Sequence, residues 1–420
     1  MITDKRPFGF WTATALVMGG MIGSGIFMMP AALAPLGWTG TLAWVVSIAG
    51  AASIAYVLGK LAQAMPEATG AVAITGAVLG ELPGVLIGWS YWISVWSANA
   101  AISIAGASYL SALFPALNAT PLTGALTAVT LIWLLTLLNL AGARRAGQFQ
   151  VLTTILKLMP LVAVLVIAAL IAGKGEAALP ALPDSATLFG GLAGAVTLTL
   201  FPLVGFEAAG IAAERVRDPA RTILRASMAG TVATGLLYIF VCSAIVLLLD
   251  PAAVAASSAP FALFVGTYWG GAASMLIAAF AAIAAIGALN GWVLIQGEVP
   301  LGMARAGLLP KWFCAVSERD VPVRVLLISS ALASVLVLTT ILKLMPLVAV
   351  LTTCACLWLY LAACVAALIR RIAMPAAVAG VAFALFAFWG AGWYASGLSL
   401  VLMLTAVPLY FVARRGTGAS

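Results

Sequence analysis

Between Val325 and Ile369 the chain carries one charged residue, Lys343. The hydrocarbon core of a bilayer takes about 20 apolar residues per helix, so this stretch is long enough for two crossings. Similar runs fill most of the sequence. Of 420 residues, 64% are hydrophobic and 8% are charged, against about 25% charged in soluble domains. Backbone groups inside a bilayer must bond to one another, which leaves helices or a closed barrel. The runs are continuous rather than alternating over ten-residue pieces, so the sequence reads as an all-α integral membrane protein.

Twelve spans account for the apolar runs, at roughly 8–34, 40–64, 84–115, 121–141, 148–173, 188–213, 224–249, 267–297, 323–341, 346–369, 374–392 and 395–413. The first run, from Phe8, is too long for a signal-peptide core and lacks a small-residue cleavage site, so it is read as a span. With the N-terminus inside, all of the 20 Lys and Arg except Lys157, Lys174 and Lys343 fall in cytoplasmic segments. That asymmetry sets both termini in the cytoplasm of a multi-pass protein, here expected in a cell inner membrane. It also gives the net charge of +8 a topological meaning rather than a nucleic-acid one. There is no histidine, and the five cysteines show no metal or haem spacing, so no cofactor or metal site is indicated. Nor is there a nucleophile–base set or a ring of pore-lining charge, so neither an enzyme nor a channel is indicated.

Two spans carry helix-breaking chemistry. The first holds GGMIGSGIFMMP at 19–30, and the sixth holds FPLVGFE at 201–207. These positions correspond if spans 1–5 and 6–10 are two repeats, and paired broken helices point to a transporter's substrate site. At such a break, the N–H groups around Ser24, Gly25 and Ile26 would attract a carboxylate. The carbonyls near Met21, Phe201 and Val204 would suit an ammonium group. Together they fit the head group of an α-amino acid; the alternative is a pair of packing kinks.

Glu207 is the one carboxylate deep within a span, where a charge is expensive and usually functional. It reads as a proton carrier, a gate, a link between helices, or a buried structural acid. Span 3 carries WSYWISVWSANAA at 89–101, and span 8 carries GALNGWVLIQGE at 287–298. Trp292 lies mid-segment beside Asn290 and Gly291, where an aromatic face could wall a substrate side chain or meet a cation. Packing is the plainer role for these aromatics.

These motifs resemble the amino acid–polyamine–organocation (APC) superfamily, and within it the arginine/agmatine antiporters. The marks are IGSGIFMMP, GFE, the AERVRDPARTILRA loop after it, and GALNGWVLIQGEVPLGMARAGLLP, and the likeness covers essentially the whole chain. It implies an inverted five-helix repeat in 1–173, a second in 174–371, and spans 11–12 with a cytoplasmic tail in 372–420, all in one transporter domain working by alternating access. It implies that Ser24 and Gly25 hold the substrate carboxylate, that the carbonyls of Met21, Phe201 and Val204 hold its amine, and that Trp292 stacks on a guanidinium. By the same resemblance Tyr91, Glu207 and Trp358 are gating residues, Asn99 lies lower in the pocket, and Ser94 and Val95 lie near the side-chain end. This sequence departs from the arginine antiporters at Gly20, where they have asparagine, at Phe201, where they have tryptophan, and at Ser94-Val95, where they have Ala-Cys. The expected function is amino acid/polyamine antiport of the arginine/agmatine type. The alternative is a proton-coupled or facilitative carrier of neutral amino acids. A proton and a second copy of the chain are candidate partners beside the substrate and the bilayer.

The fifteen residues VLTTILKLMPLVAVL occur at 151–165 and again at 337–351. The first copy puts Lys157 inside span 5. There it resembles the lysine that, in many relatives, stands in for a sodium ion near the carbonyls of span 1. The second copy falls between spans 9 and 10, where ILKLMP at 341–346 is the expected turn and Lys343 an interfacial lysine.

Overall fold

The structure is a computed structural model that describes residues 9–66, 68, 70–141, 153, 156–175, 179–207, 216, 218–318, 321–339 and 345–417. Among these residues the chain is helical and contains no β-strand. The first span divides into α1 (Phe10–Met21) and α2 (Ser24–Leu33). There follow α3 (Trp38–Ala64), α4 (Ala71–Leu79), α5 (Glu81–Leu113), α6 (Pro121–Leu140) and α7 (Leu158–Gly173). The expected sixth span holds the short α8 (Ser185–Gly190) and then α9 (Leu192–Leu200). The second half of the chain holds α10 (Pro219–Leu248), α11 (Pro251–Ala256), α12 (Pro260–Trp269), α13 (Gly271–Arg305), α14 (Val323–Thr339), α15 (Met345–Ile369), α16 (Met374–Leu404) and α17 (Ala406–Thr417).

By length and apolarity six of these helices can cross a membrane, or seven if the bent first pair counts as one span. Shorter apolar helices cover 158–173, 192–203 and 323–339. Each expected span contains helix where it is described, but span 8 starts at Gly271 rather than 267, because Gly270 at φ +86° ends α12. Gly392 breaks α16 with φ +78° and ψ 167°, near the expected boundary between spans 11 and 12. The exposed Trp389, Trp393 and Tyr394 flank this break, as suits amphipathic rings at a membrane interface. Lys343 and the expected turn around it lie outside the described residues, up to the start of α15 at Met345.

A contiguous interior is built where α5 packs on α13 and α15, and where α3 packs on α10 and α9. Small residues set the close crossings, as expected where lipid supplies no hydrophobic drive between helices. A Cβ on Gly230 of α10 would come within 2.6 Å of Val17 in α1, and one on Gly235 within 2.6 Å of Ile48 in α3. The opposite face of α7 presents Val162, Val166 and Leu170 outward. In water that apolar stripe would be a liability; against acyl chains it is the natural surface.

Candidate functional site

The site begins where α1 stops. Ile22 has φ −72° and ψ 87°, Gly23 is extended, and α2 leaves α1 at 47°. A helix end leaves carbonyls without intrahelical partners, and this end is supplied from elsewhere. Lys157 is 1% exposed and donates from Nζ to the carbonyl of Gly19 at 3.1 Å. Tyr238 Oη of α10 donates to the carbonyl of Met21 at 2.8 Å. A cation at the C-terminal end of a helix is favoured by the helix dipole, and Lys157 occupies such a place at the end of α1. One lone pair of the Met21 carbonyl, an expected amine ligand, is already used by Tyr238.

The start of α2 is open by contrast. No side chain caps it, and the buried Ser24 hydroxyl has no hydrogen-bond partner. Facing it, α9 ends in a tight turn at Phe201–Leu203, after which Val204 is extended and Gly205 sits at φ +117°. The two breaks touch. A Cβ on Gly25 would lie 3.0 Å from Pro202 Cα, and one on Gly205 would lie 3.0 Å from the carbonyl of Gly20. Only glycine lets these backbones approach so closely.

Between the breaks lies a small, partly open cavity. Of the expected binding residues, Met21, Ser24, Gly25, Phe201, Val204 and Trp292 line it. Ala98, Ile102 and Thr352 line it as well. They carry no chemistry that sequence reasoning could single out, and only the rotation of their helices brings them here. No charged side chain is among the lining residues, so a bound charge would be met by helix ends, carbonyls and the Trp292 ring. Ser94 does not line the cavity, and its hydroxyl is held by the carbonyl of Tyr91 at 2.7 Å. Val95 is fully buried and also outside the lining. Asn99 lies beside the lining residue Ala98, and its Nδ2 donates to Gln296 Oε1 at 2.7 Å. Among the described residues, no group of His, Cys, Asp and Glu could hold a metal ion.

Glu207 is tied into the unwound segment that follows α9. Its Oε2 accepts from Gly205 N at 3.1 Å and from Tyr360 Oη at 3.0 Å, and its Oε1 accepts from Tyr91 Oη at 2.9 Å. One carboxylate thus joins α5, α15 and the break, three donors meeting an all-acceptor group. The expectation for span 10 lands on a different residue. Trp358, read as the gate, donates to Ser399 Oγ at 3.0 Å and packs on Phe388, both on α16. Tyr360 is the residue of α15 at the site, and its ring stacks on Phe206 with centroids 4.8 Å apart. Two helical residues differ by about 200° around the axis, so a shift of two positions turns a side chain to the opposite face. A tyrosine two residues from the expected gate was the available signal.

Comparison with known proteins places the chain in a family. The family model described as amino acid permease matches residues 8–418. The chain is 30% identical over 352 residues to the cadaverine/lysine antiporter of Escherichia coli (strain K12), covering 81% of this chain and 77% of that one. It is 27% identical over 341 residues to a putrescine transporter of Haemophilus influenzae, covering 81% of this chain and 78% of the relative.

Proposed function

The chain belongs to the amino acid permease family, and from that premise we propose that it exchanges a cationic amino acid for an amine by alternating access. The observation that carries this reading is the pair of facing breaks. The uncapped start of α2 and the partnerless Ser24 hydroxyl provide for a carboxylate. The carbonyl ends of α1 and α9 provide for an ammonium, and Trp292 walls the cavity. Relatives named for cadaverine/lysine antiport and putrescine transport support a lysine- or diamine-type pair, beside the arginine/agmatine pair expected from the motifs. The twelve-span, inverted-repeat architecture belongs to this proposal: α1/α2 and α9 with its unwound end would be the corresponding broken spans.

The test is counterflow in proteoliposomes loaded in turn with lysine, arginine, cadaverine, putrescine, agmatine or leucine. Labelled lysine or arginine should enter only against a cationic internal substrate. Uptake of leucine with no exchange of any cation would overturn the reading. Within it, Trp292→Leu should raise the KM for the cationic substrate roughly two- to thirtyfold, the range of a cation–π contact, while changing the KM for leucine less.

The neutral-substrate alternative draws on one specific observation, the lysine at the end of α1. Lys157→Met removes the donor to the Gly19 carbonyl and a charge beside the break. It should slow exchange and flatten its dependence on an imposed pH gradient. Unchanged rates across the gradient in the variant and the parent alike would take Lys157 out of the transport cycle.

A further inference from the structure

A buried polar chain runs away from the cavity through four helices, and its direction can be worked out proton by proton. Thr136 Oγ1 of α6 donates to the carbonyl of Ile132 at 2.7 Å. Its proton is thereby committed, so across the 2.7 Å contact with Ser330 Oγ of α14 Thr136 must accept. The Ser330 proton is then committed in turn. Ser330 can only accept from Gln296 Nε2 of α13, at 2.8 Å. With its nitrogen turned to Ser330, Gln296 shows its oxygen to α5, where Asn99 Nδ2 donates to it at 2.7 Å.

Asn99 Oδ1 is left over. It is a fully buried acceptor with no partner, and leaving such a group unpaired costs about 1–3 kcal/mol. Its position matters. Asn99 is next to Ala98 and three residues before Ile102, both lining the cavity, and Gln296 is one turn beyond Trp292 on α13. Residues three or four apart share a helix face, so the Asn99–Gln296 pair lies directly behind lining residues of α5 and α13, although neither side chain is itself part of the lining. The far side of Gln296 is also fixed, since Trp92 Nε1 donates to its backbone carbonyl at 3.1 Å.

We propose that Gln296, oriented by Ser330 and Thr136, is a positioning residue that holds the Asn99 amide with its oxygen toward the substrate side chain. An oxygen in that place accepts from an ammonium group, which carries three donors and no acceptor. The same oxygen repels a carboxylate and gains nothing from an aliphatic end. The chain thus selects substrates with a terminal amine, such as lysine or a diamine. This rests on the function proposed above and names the pair behind the lining that makes the selection.

The experiment compares labelled lysine with labelled norleucine, which has the same head group and lacks the terminal amine, in lysine-loaded proteoliposomes. The parent should prefer lysine. Gln296→Met keeps the side-chain length and removes both hydrogen bonds, freeing the Asn99 amide to turn. The preference for lysine should fall roughly tenfold, the scale of a hydrogen bond to a charged group. Ser330→Ala should lower it part of the way, and Ser330→Thr, which keeps the hydroxyl, should restore it. Norleucine uptake by each variant shows that the protein is folded. If Gln296→Met takes up neither substrate, the Ser330 pair decides. Variants that keep the parent's preference overturn the role of Gln296 while leaving the proposed function standing. A parent that prefers norleucine overturns both.

Discussion

Replacing Glu207 with alanine should abolish exchange and lower the melting temperature of the purified protein. The carboxylate accepts from Tyr91, Tyr360 and the amide of Gly205, and removing it strands three donors in a buried place. Each stranded donor costs about 1–3 kcal/mol, so the loss sums to several kcal/mol concentrated on the unwound segment. Glutamine separates geometry from charge. Its side chain can keep an oxygen on Tyr360 and Gly205 and place a nitrogen toward Tyr91, whose hydroxyl can turn to accept. Glu207→Gln should therefore fold, bind substrate, and exchange roughly tenfold more slowly, because an amide offers one acceptor oxygen where the carboxyl group offers two, and a lost hydrogen bond is worth about 1 kcal/mol. If alanine and glutamine were equally active, Glu207 would not be joining these helices at all. If only glutamine lost the response to a pH gradient while still exchanging, Glu207 would be the proton carrier. Exchange rates at two pH values and a thermal melt on both variants supply the answer.

The second large effect is expected at Gly205. Its φ of +117° lies where side chains are rarely tolerated, at a cost on the order of 1–3 kcal/mol. The added Cβ of Gly205→Ala would also meet the Gly20 carbonyl at 3.0 Å. That neighbour is backbone at the end of α1, which Lys157 and Tyr238 already hold, so it cannot yield. Alanine here should separate the two breaks and remove both exchange and the stabilisation of the protein by added substrate. Gly302 serves as the control. It lies in the helical α13 with nothing within 4 Å of its would-be Cβ, and alanine there should keep full activity and stabilise slightly, as in any exposed helix. Equal activity in the two variants would mean that the close approach of the breaks is not needed for transport.

Much of this molecule is legible in its sequence because the signals are local. Apolar runs specify helices in lipid without reference to anything distant. The glycines of 19–25 and the Pro202 and Gly205 pair mark the breaks by their own backbone chemistry, and the structure interrupts α1 and α9 there. Lys157 and Glu207 stand out because a charge in a span is rare. What stayed hidden was pairing across distance. Trp358 and Tyr360 are neighbours in sequence, and nothing local says which of them α15 turns toward Glu207. Ala98 and Thr352 carry no signal, and Tyr238 is one tyrosine among eight.

By itself, then, the sequence determined the solvent this protein lives in, the helices that solvent requires, and where two of them must stop. Those outcomes follow from the transfer of side chains and backbone into lipid, which is settled residue by residue. The tertiary structure decided how each helix is rotated and which partner it meets. Only there does Tyr360 rather than Trp358 reach the carboxylate, does Tyr238 take a lone pair of Met21, and does a threonine on α6 fix the direction of an amide on α5. Hydrogen bonds are directional and short, so their choice of partner waits on the packing that sets each helix's angle to the next.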